Sequence, residues 1–244
     1  MPEHLILRLE APLLSFGGEA IDNFGVVRDL PAASMLAGLI ANAVGWRREE
    51  TQALDRLQDR LVFAVRIDRP GQRMRDFQTA KLEKNDRGWT TRHTPEGRDG
   101  GAATYDSPHL RHRDYDADAL ICVALRLEPA DEEPTLDGIA RALDEPARPL
   151  FIGRKPCLPS ARLLAGRIEA PSVLDALRQA PPLDPDAEAT AVRIFWPREE
   201  GSLPSEHAFA ITDRRNWRSG VHGGGRTIVE GEIPLLPIAA VGRP

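Results

Sequence analysis

Disulfides, metal thiolates and long apolar runs are all missing from this chain. Its 244 residues include two cysteines, Cys122 and Cys157. These are too few for a disulfide framework and lack the paired spacing of a zinc site. No run of about 18 apolar residues occurs, which excludes a membrane-spanning helix. Glu3, His4, Arg8 and Glu10 interrupt the first apolar stretch. No secretory signal is therefore expected, and the expected compartment is the cytoplasm. There is no Walker loop, dinucleotide fingerprint, Gly-x-Ser-x-Gly elbow or paired-carboxylate motif. No cofactor is expected on that basis.

What is present is an ordinary globular composition, with 41% hydrophobic and 28% charged residues, enough for a packed core. The net charge of −5 argues at first against a nucleic-acid partner. Its distribution alters that. Residues 60–115 hold 12 basic and 8 acidic side chains, whereas residues 116–190 hold 8 and 14. Screening confines such fields to about 8–10 Å, so a local basic surface can bind phosphate on an acidic protein. From charge alone, a solvated arm is the simpler reading.

Leu5–Leu9 (LILRL) reads as a buried strand and Ser15-Phe16-Gly17-Gly18 as a loop. Leu36, Leu39, Ile40, Ala43 and Val44 form one helical face within 31–45, and Gly45 is a stop. A second helix fits Glu50–Asp59, followed by a strand at Leu61–Ile67. Residues 69–115 are polar and glycine-containing, and a structureless loop of that length is uncommon in a compact domain. The ends, Arg75–Ala80 and Leu110–Tyr115, predict an extended hairpin arm with its tip at Asp86–Gly101. Ala119–Leu127 is a strong strand, Leu136–Leu143 a helix, and either Leu150–Gly153 or Leu163–Ile168 the next strand. This order predicts an α+β, ferredoxin-like (RRM-like) β-α-β-β-α-β domain over 1–170, with a β-hairpin thumb inserted at about 69–115. A short helix at Ser172–Gln179, with Asp175 completing a cap, opens a small β-rich C-terminal region, 171–244. Its expected strands are Val192–Trp196, Ala208–Thr212 and Arg226–Glu230.

RNA-recognition modules of this fold stack bases on aromatic residues of the central strands. Leu5–Leu9 and Ala119–Leu127 carry none, so loops must do the binding if RNA is the ligand. Two glycine-rich stretches, at 15–18 and 223–225, can bring backbone N–H groups close to phosphate. Gly153-Arg154-Lys155 places two cations at a turn. His109-x-x-His112 lies in a predicted strand, where i and i+3 point to opposite faces, so a shared metal ion is not expected. The same histidines, with Tyr115 and Lys81, offer a metal-free alternative: general acid–base cleavage of RNA.

Together these segments resemble the CasD family of type I-E CRISPR Cascade subunits, within the RAMP superfamily. The resemblance is carried by LILRLEAPLLSFGG at the start, PAASMLAGLIANAVG (31–45), Asp76-Phe77-Gln78-Thr79, Arg113-Asp114-Tyr115 with the strand ALICVALRL, PLFIGRKPC (149–157), and Trp217 followed by the glycines at 223–225. Where the family often has a basic residue before the helix serine, this chain has Ala33. The resemblance implies a non-catalytic RNA-binding subunit that holds the 5′ handle of the CRISPR RNA. It implies a thumb that meets the CasC backbone subunit, and contact with the CasA large subunit. Target DNA would be reached only through guide pairing in the complex. Arg75, Lys81, Arg111 and Arg113 would contact RNA phosphates or the neighbouring subunit. Gly17, Gly18, Ser34, Arg154, Lys155, His222, Gly224 and Arg226 would line the handle site. Relatives in type I-C systems process the precursor RNA themselves, which keeps a metal-independent endoribonuclease as the alternative. A protein-interaction module that contacts subunits but not RNA is a third.

Overall fold

The computed structural model describes residues 1–21, 23–81, 109–184 and 191–235. It is a mixed α+β structure built on two sheets. The larger has seven antiparallel strands. Their order is β11 (Glu206–Thr212), β12 (Gly225–Pro234), β10 (Ala191–Pro197), β5 (Leu61–Arg69), β8 (Leu120–Leu127), β1 (Glu3–Glu10) and β9 (Leu164–Glu169). Strands buried on both faces read as near-continuous apolar runs, and that is why LILRL and LICVALRL do. Leu5, Leu7 and Leu9 of β1 pack with α1 (Ala33–Val44), α2 (Thr51–Arg60) and α3 (Leu136–Asp144). Ile6 faces the other way, with Cys122 and Ala124, against α4 (Val173–Gln179).

The helix boundaries follow local chemistry. Gly45 ends α1 at φ +92°, a conformation that glycine adopts without penalty, and its N–H returns to the Ala41 carbonyl. The Thr135 hydroxyl accepts from Gly138 N–H to start α3, and Ser172 does the same for Asp175 N–H in α4. Of the two candidate strands after α3, residues 164–169 form the strand. Residues 150–153 run as a buried loop, closed by Ile152 N–H to the Cys157 carbonyl.

The second sheet is organised around β7 (His109–Ala117). Along one edge it pairs with β2 (Leu13–Leu14) and, in parallel, with β4 (Phe24–Val27). Along the other it pairs over its whole length with β6 (Gln72–Ala80). This is the expected hairpin, and its tip lies outside the described residues. Gly17 and Gly18, read from sequence as loop, instead begin β3 (Gly17–Ile21), paired with β4. Backbone pairing decides this, because Arg28 N–H donates to the Phe16 carbonyl and Gly17 registers with Val27. Among the described residues, no helix is long and apolar enough to cross a membrane.

The C-terminal strands continue the large sheet beyond β5, through Ile194↔Arg66 and Phe195↔Val65. One residue between β11 and β12 ties this extension to α1. The residue before α1, Ala32, has no side chain to cap the helix. The almost fully buried Asp213 carboxylate caps it from a distance, accepting from Ala33 N–H at 3.0 Å, while the Asp213 carbonyl accepts from Ser34 N–H. The same carboxylate receives Arg226 Nη2 at 2.8 Å, and the Arg226 guanidinium lies over the Phe63 ring. Breaking a buried ion pair on one side typically costs about 3–5 kcal/mol. Asp213→Ala is therefore expected to lower the urea unfolding free energy by about that much, the uncapped helix adding to it. A loss below about 1 kcal/mol would contradict the assigned role.

Candidate functional site

A cleft of about 380 Å³ opens where three walls meet. The first wall is one face of α1, with Ser34, Met35, Gly38 and Asn42. The second is the loop Phe151–Arg154 set against Ser15 and Gly17. The third is the loop between β11 and β12, with Arg215, Trp217 and His222.

Each wall is held by close backbone contact. Gly153 sits at φ +87°, and a Cβ there would lie 1.9 Å from the Ser15 carbonyl oxygen. No other residue fits, and this explains the glycine in PLFIGRKPC. The Trp217 ring packs against α1 at Gly38, where a Cβ would make an ordinary contact at 3.5 Å. The third wall is fastened to α2. The Gln58 side chain donates to the Arg215 carbonyl and accepts from Arg215 N–H, while Asp55 accepts from Trp217 N–H. Arg215 and His222 pair across the loop as an antiparallel bridge.

The electrostatics of the cleft are one-sided. Arg154 donates to the carbonyls of Asp114 and Gly25, both at 3.1 Å, and lies over the Tyr115 ring. Arg215 lies over the Trp217 ring. Among the described residues no carboxylate is within ion-pair distance of either guanidinium. Arginine remains protonated under these conditions, so neither charge is neutralised by a direct ion pair, although Arg154 lies within electrostatic reach of the Asp114 carboxylate that Arg75 holds. Burial and the Arg48 cation push the Arg215 pKa below its ordinary value. His222 is also pushed down, by burial first and then by the charges of Arg215 and Arg28. Its ring is therefore neutral at pH 7. A cation pair, a neutral imidazole, an indole and glycine-lined backbone suit a ligand that carries both a phosphate and a flat base.

The cationic surface extends from the cleft to the arm. A Cβ on Gly25 would lie 2.7 Å from Arg154 Nη2 and 3.5 Å from Arg113 Nη1. Two guanidinium groups therefore lie together beside Gly25. The remaining arm cations have different surroundings. Arg75 is engaged by Asp114, at 2.7 and 3.1 Å, and holds that carboxyl below the usual carboxylate range. Arg111 donates to Asn23 Oδ1, Arg113 donates to Gln78 Oε1, and Lys81 is exposed at the end of β6.

Of the residues expected from sequence, Gly17, Ser34, Arg154 and His222 meet in the cleft. Gly18 adjoins it, under the side chains of Val26 and Arg28, and Lys155 is exposed beside Arg154. Gly224, at φ +85°, turns the third wall back toward β12. Arg226 stands behind the cleft, on Asp213 and Phe63. Arg75, Lys81, Arg111 and Arg113 belong to the arm and do not line the cleft. Sequence reasoning missed Arg215, Trp217 as a wall, and Phe151. The adjacent pair Arg214-Arg215 just before a tryptophan was the available signal. His112 packs between aromatic rings, and the His109 side chain lies outside the described residues. Among the described residues no group of three or more potential ligands is arranged around a metal.

Comparison with known proteins agrees with this architecture. The chain is 27% identical over 195 residues to the "CRISPR system Cascade subunit CasD" of Escherichia coli (strain K12), covering 76% of this chain and 80% of the relative. It superimposes on a chain of a solved "CRISPR RNA-guided surveillance complex" with a TM-score of 0.70 and 29% identity, covering 99% of this chain and 94% of that one. A second solved "Cas protein" shares the fold, with a TM-score of 0.61, 23% identity, and coverage of 96% and 95%. The family described as CRISPR-associated protein (Cas_Cas5) matches residues 4–229, and the chain belongs to this Cas5 family.

Proposed function

We propose that the chain is a non-catalytic RNA-binding subunit of a type I-E CRISPR Cascade complex, acting in antiviral defence in the cytoplasm. In this reading the cleft holds the 5′ handle of the CRISPR RNA. The β6–β7 thumb meets the CasC backbone subunit, and a further surface meets the CasA large subunit. The observation that carries it is that Arg154 and Arg215 face one cleft beside Trp217, neither of them in an ion pair with a carboxylate among the described residues. Leaving two charges half-buried without a carboxylate is unfavourable for the isolated chain, and an anion relieves that cost. The strand order β9-β1-β8-β5 supports a ferredoxin-like core over 1–170, with a helical crossover between β1 and β5 and another between β8 and β9. Residues 171–244 are then its β-rich extension. The likeness to a Cascade subunit supports the assignment to that assembly.

Two measurements test this reading. The purified chain should bind a single-stranded RNA carrying the repeat-derived handle and return it intact. Arg154→Gln and Arg215→Gln should each weaken binding by about tenfold or more, as expected for lost charge-assisted hydrogen bonds. Together they should reduce the slope of log affinity against log salt by about 1.4, the contribution of two phosphate contacts. Unchanged affinity and slope would remove the cleft from the RNA site. Specific metal-free cleavage of repeat RNA, abolished by His112→Ala, would establish the endoribonuclease alternative instead.

The second measurement uses His222. Its pKa is depressed in the free protein, and a phosphate at the cleft would raise it, so binding would take up a proton. Affinity should then increase as pH falls from about 7.5 to about 6, and His222→Gln should flatten that dependence. An identical pH profile in the variant would contradict contact between His222 and the ligand phosphate.

A further inference from the structure

The central strands of the large sheet carry no row of aromatic residues, but the second sheet does. Phe24 on β4, His112 on β7 and Phe77 on β6 are direct cross-strand neighbours, Phe24↔His112 in parallel register and Phe77↔His112 in antiparallel register. The rings of Phe24 and His112 stack at 4.9 Å between centroids and 11° between planes. Phe77 continues the row at 5.2 Å and 45°. Near Phe24 the row ends on the Arg75 guanidinium, 5.4 Å from that ring and fixed by Asp114. The other end is open. Phe77 lies on β6, whose outer edge has no partner strand among the described residues, and it is 55% exposed. Leaving two half-exposed phenylalanine rings on either side of His112 in water is unfavourable unless something covers them.

We infer that the Phe24–His112–Phe77 row is a stacking platform for an unpaired nucleobase of single-stranded RNA, which adds to the row at Phe77. The inference rests on the RNA-binding reading above and extends it to a second site. Charge complementarity favours RNA over a protein partner. Arg111 and Arg113 flank His112 along β7. Arg111 donates to the neutral Asn23 Oδ1 and Leu110 carbonyl and has no carboxylate in ion-pair distance among the described residues, whereas Arg113 stands opposite Asp76 in the β6–β7 register, with the Gln78 amide bridging the two. Both arginines project from the opposite side of the strand to His112. A chain crossing the β6 edge therefore meets cations with its backbone and Phe77 with a base. Arg113 also converges with Arg154 over Gly25, which makes the cationic surface continuous from the cleft to this hairpin. An apolar protein surface would cover the rings but leave the Arg111 charge unmatched.

The test uses the full chain and a single-stranded RNA carrying the repeat-derived handle, with 2-aminopurine placed at successive positions. One position should be quenched on binding to the unaltered chain and to Phe77→Tyr, and unquenched with Phe77→Leu. Phe77→Leu should also weaken binding by about 5- to 150-fold, the range for one base–aromatic stack. Its salt slope should be unchanged, because no phosphate contact is lost. Circular dichroism should show the same fold, since Phe77 is exposed. Binding and quenching by Phe77→Leu equal to the unaltered chain would overturn the platform and leave the cleft reading standing. The same result with loss of co-purifying subunits would show that a protein covers the row, and would also overturn it. Failure of the unaltered chain to bind the RNA would overturn both readings.

Discussion

The Asp213 carboxylate sits where three parts of the chain converge: the first turn of α1, the strand residue Arg226, and the loop that carries Arg215, Trp217 and His222. A helix preceded by Pro31-Ala32 has no side chain there with which to satisfy its own first N–H groups. Taking that partner from the far end of the sequence fixes the helix end against the C-terminal extension of the sheet. The cleft walls depend on this junction. If α1 shifted relative to β11 and β12, Gly38 would no longer meet Trp217, and Ser34 and Met35 would part from Arg215.

The use of charge around that junction separates structure from function. Arg66 is buried and fully paired. It donates to both Asp68 oxygens and to the carbonyls that end α4, so it stabilises packing and offers nothing to a ligand. Arg60, also buried, is surrounded by the carbonyls of residues 129–134. Arg226 is likewise committed to Asp213. Arg154 and Arg215 differ in that neutral acceptors or aromatic faces orient them, with no direct ion pair to a carboxylate among the described residues. An acidic protein can therefore still offer an anion a place where such cations are brought together, and the glycine at 153 allows the loop carrying Arg154 to close on Ser15.

Much of the fold was legible because local physics dictates it. The periodicity of Leu36, Leu39, Ile40 and Ala43, the stop at Gly45, the cap of Ser172 with Asp175, and the doubly buried runs of β1 and β8 all mark their elements. The hairpin arm was legible at its two ends. Long-range pairing was not. Gly17-Gly18 resembles a turn in isolation, and only Val27 opposite makes it a strand. Residues 150–153 are as apolar as a strand, and only their closure on Cys157 makes them a loop. The site was half legible for the same reason. Glycine and basic motifs marked Gly17, Arg154 and His222, whereas Arg215 gains its importance from having no carboxylate opposite it among the described residues. The aromatic row escaped altogether, since its three rings come from three separate segments and meet only through register.

The claim beneath this account is that RNA enters between α1 and the loop joining β11 to β12. Photocrosslinking addresses it most directly, using a handle RNA substituted with 4-thiouridine and mass spectrometry of the adducts. Adducts on peptides spanning 151–155 and 214–223, continuing to 111–113, are the predicted result. Adducts confined to the opposite end of the sheet, around Glu206, Glu230 and Glu232, would contradict it.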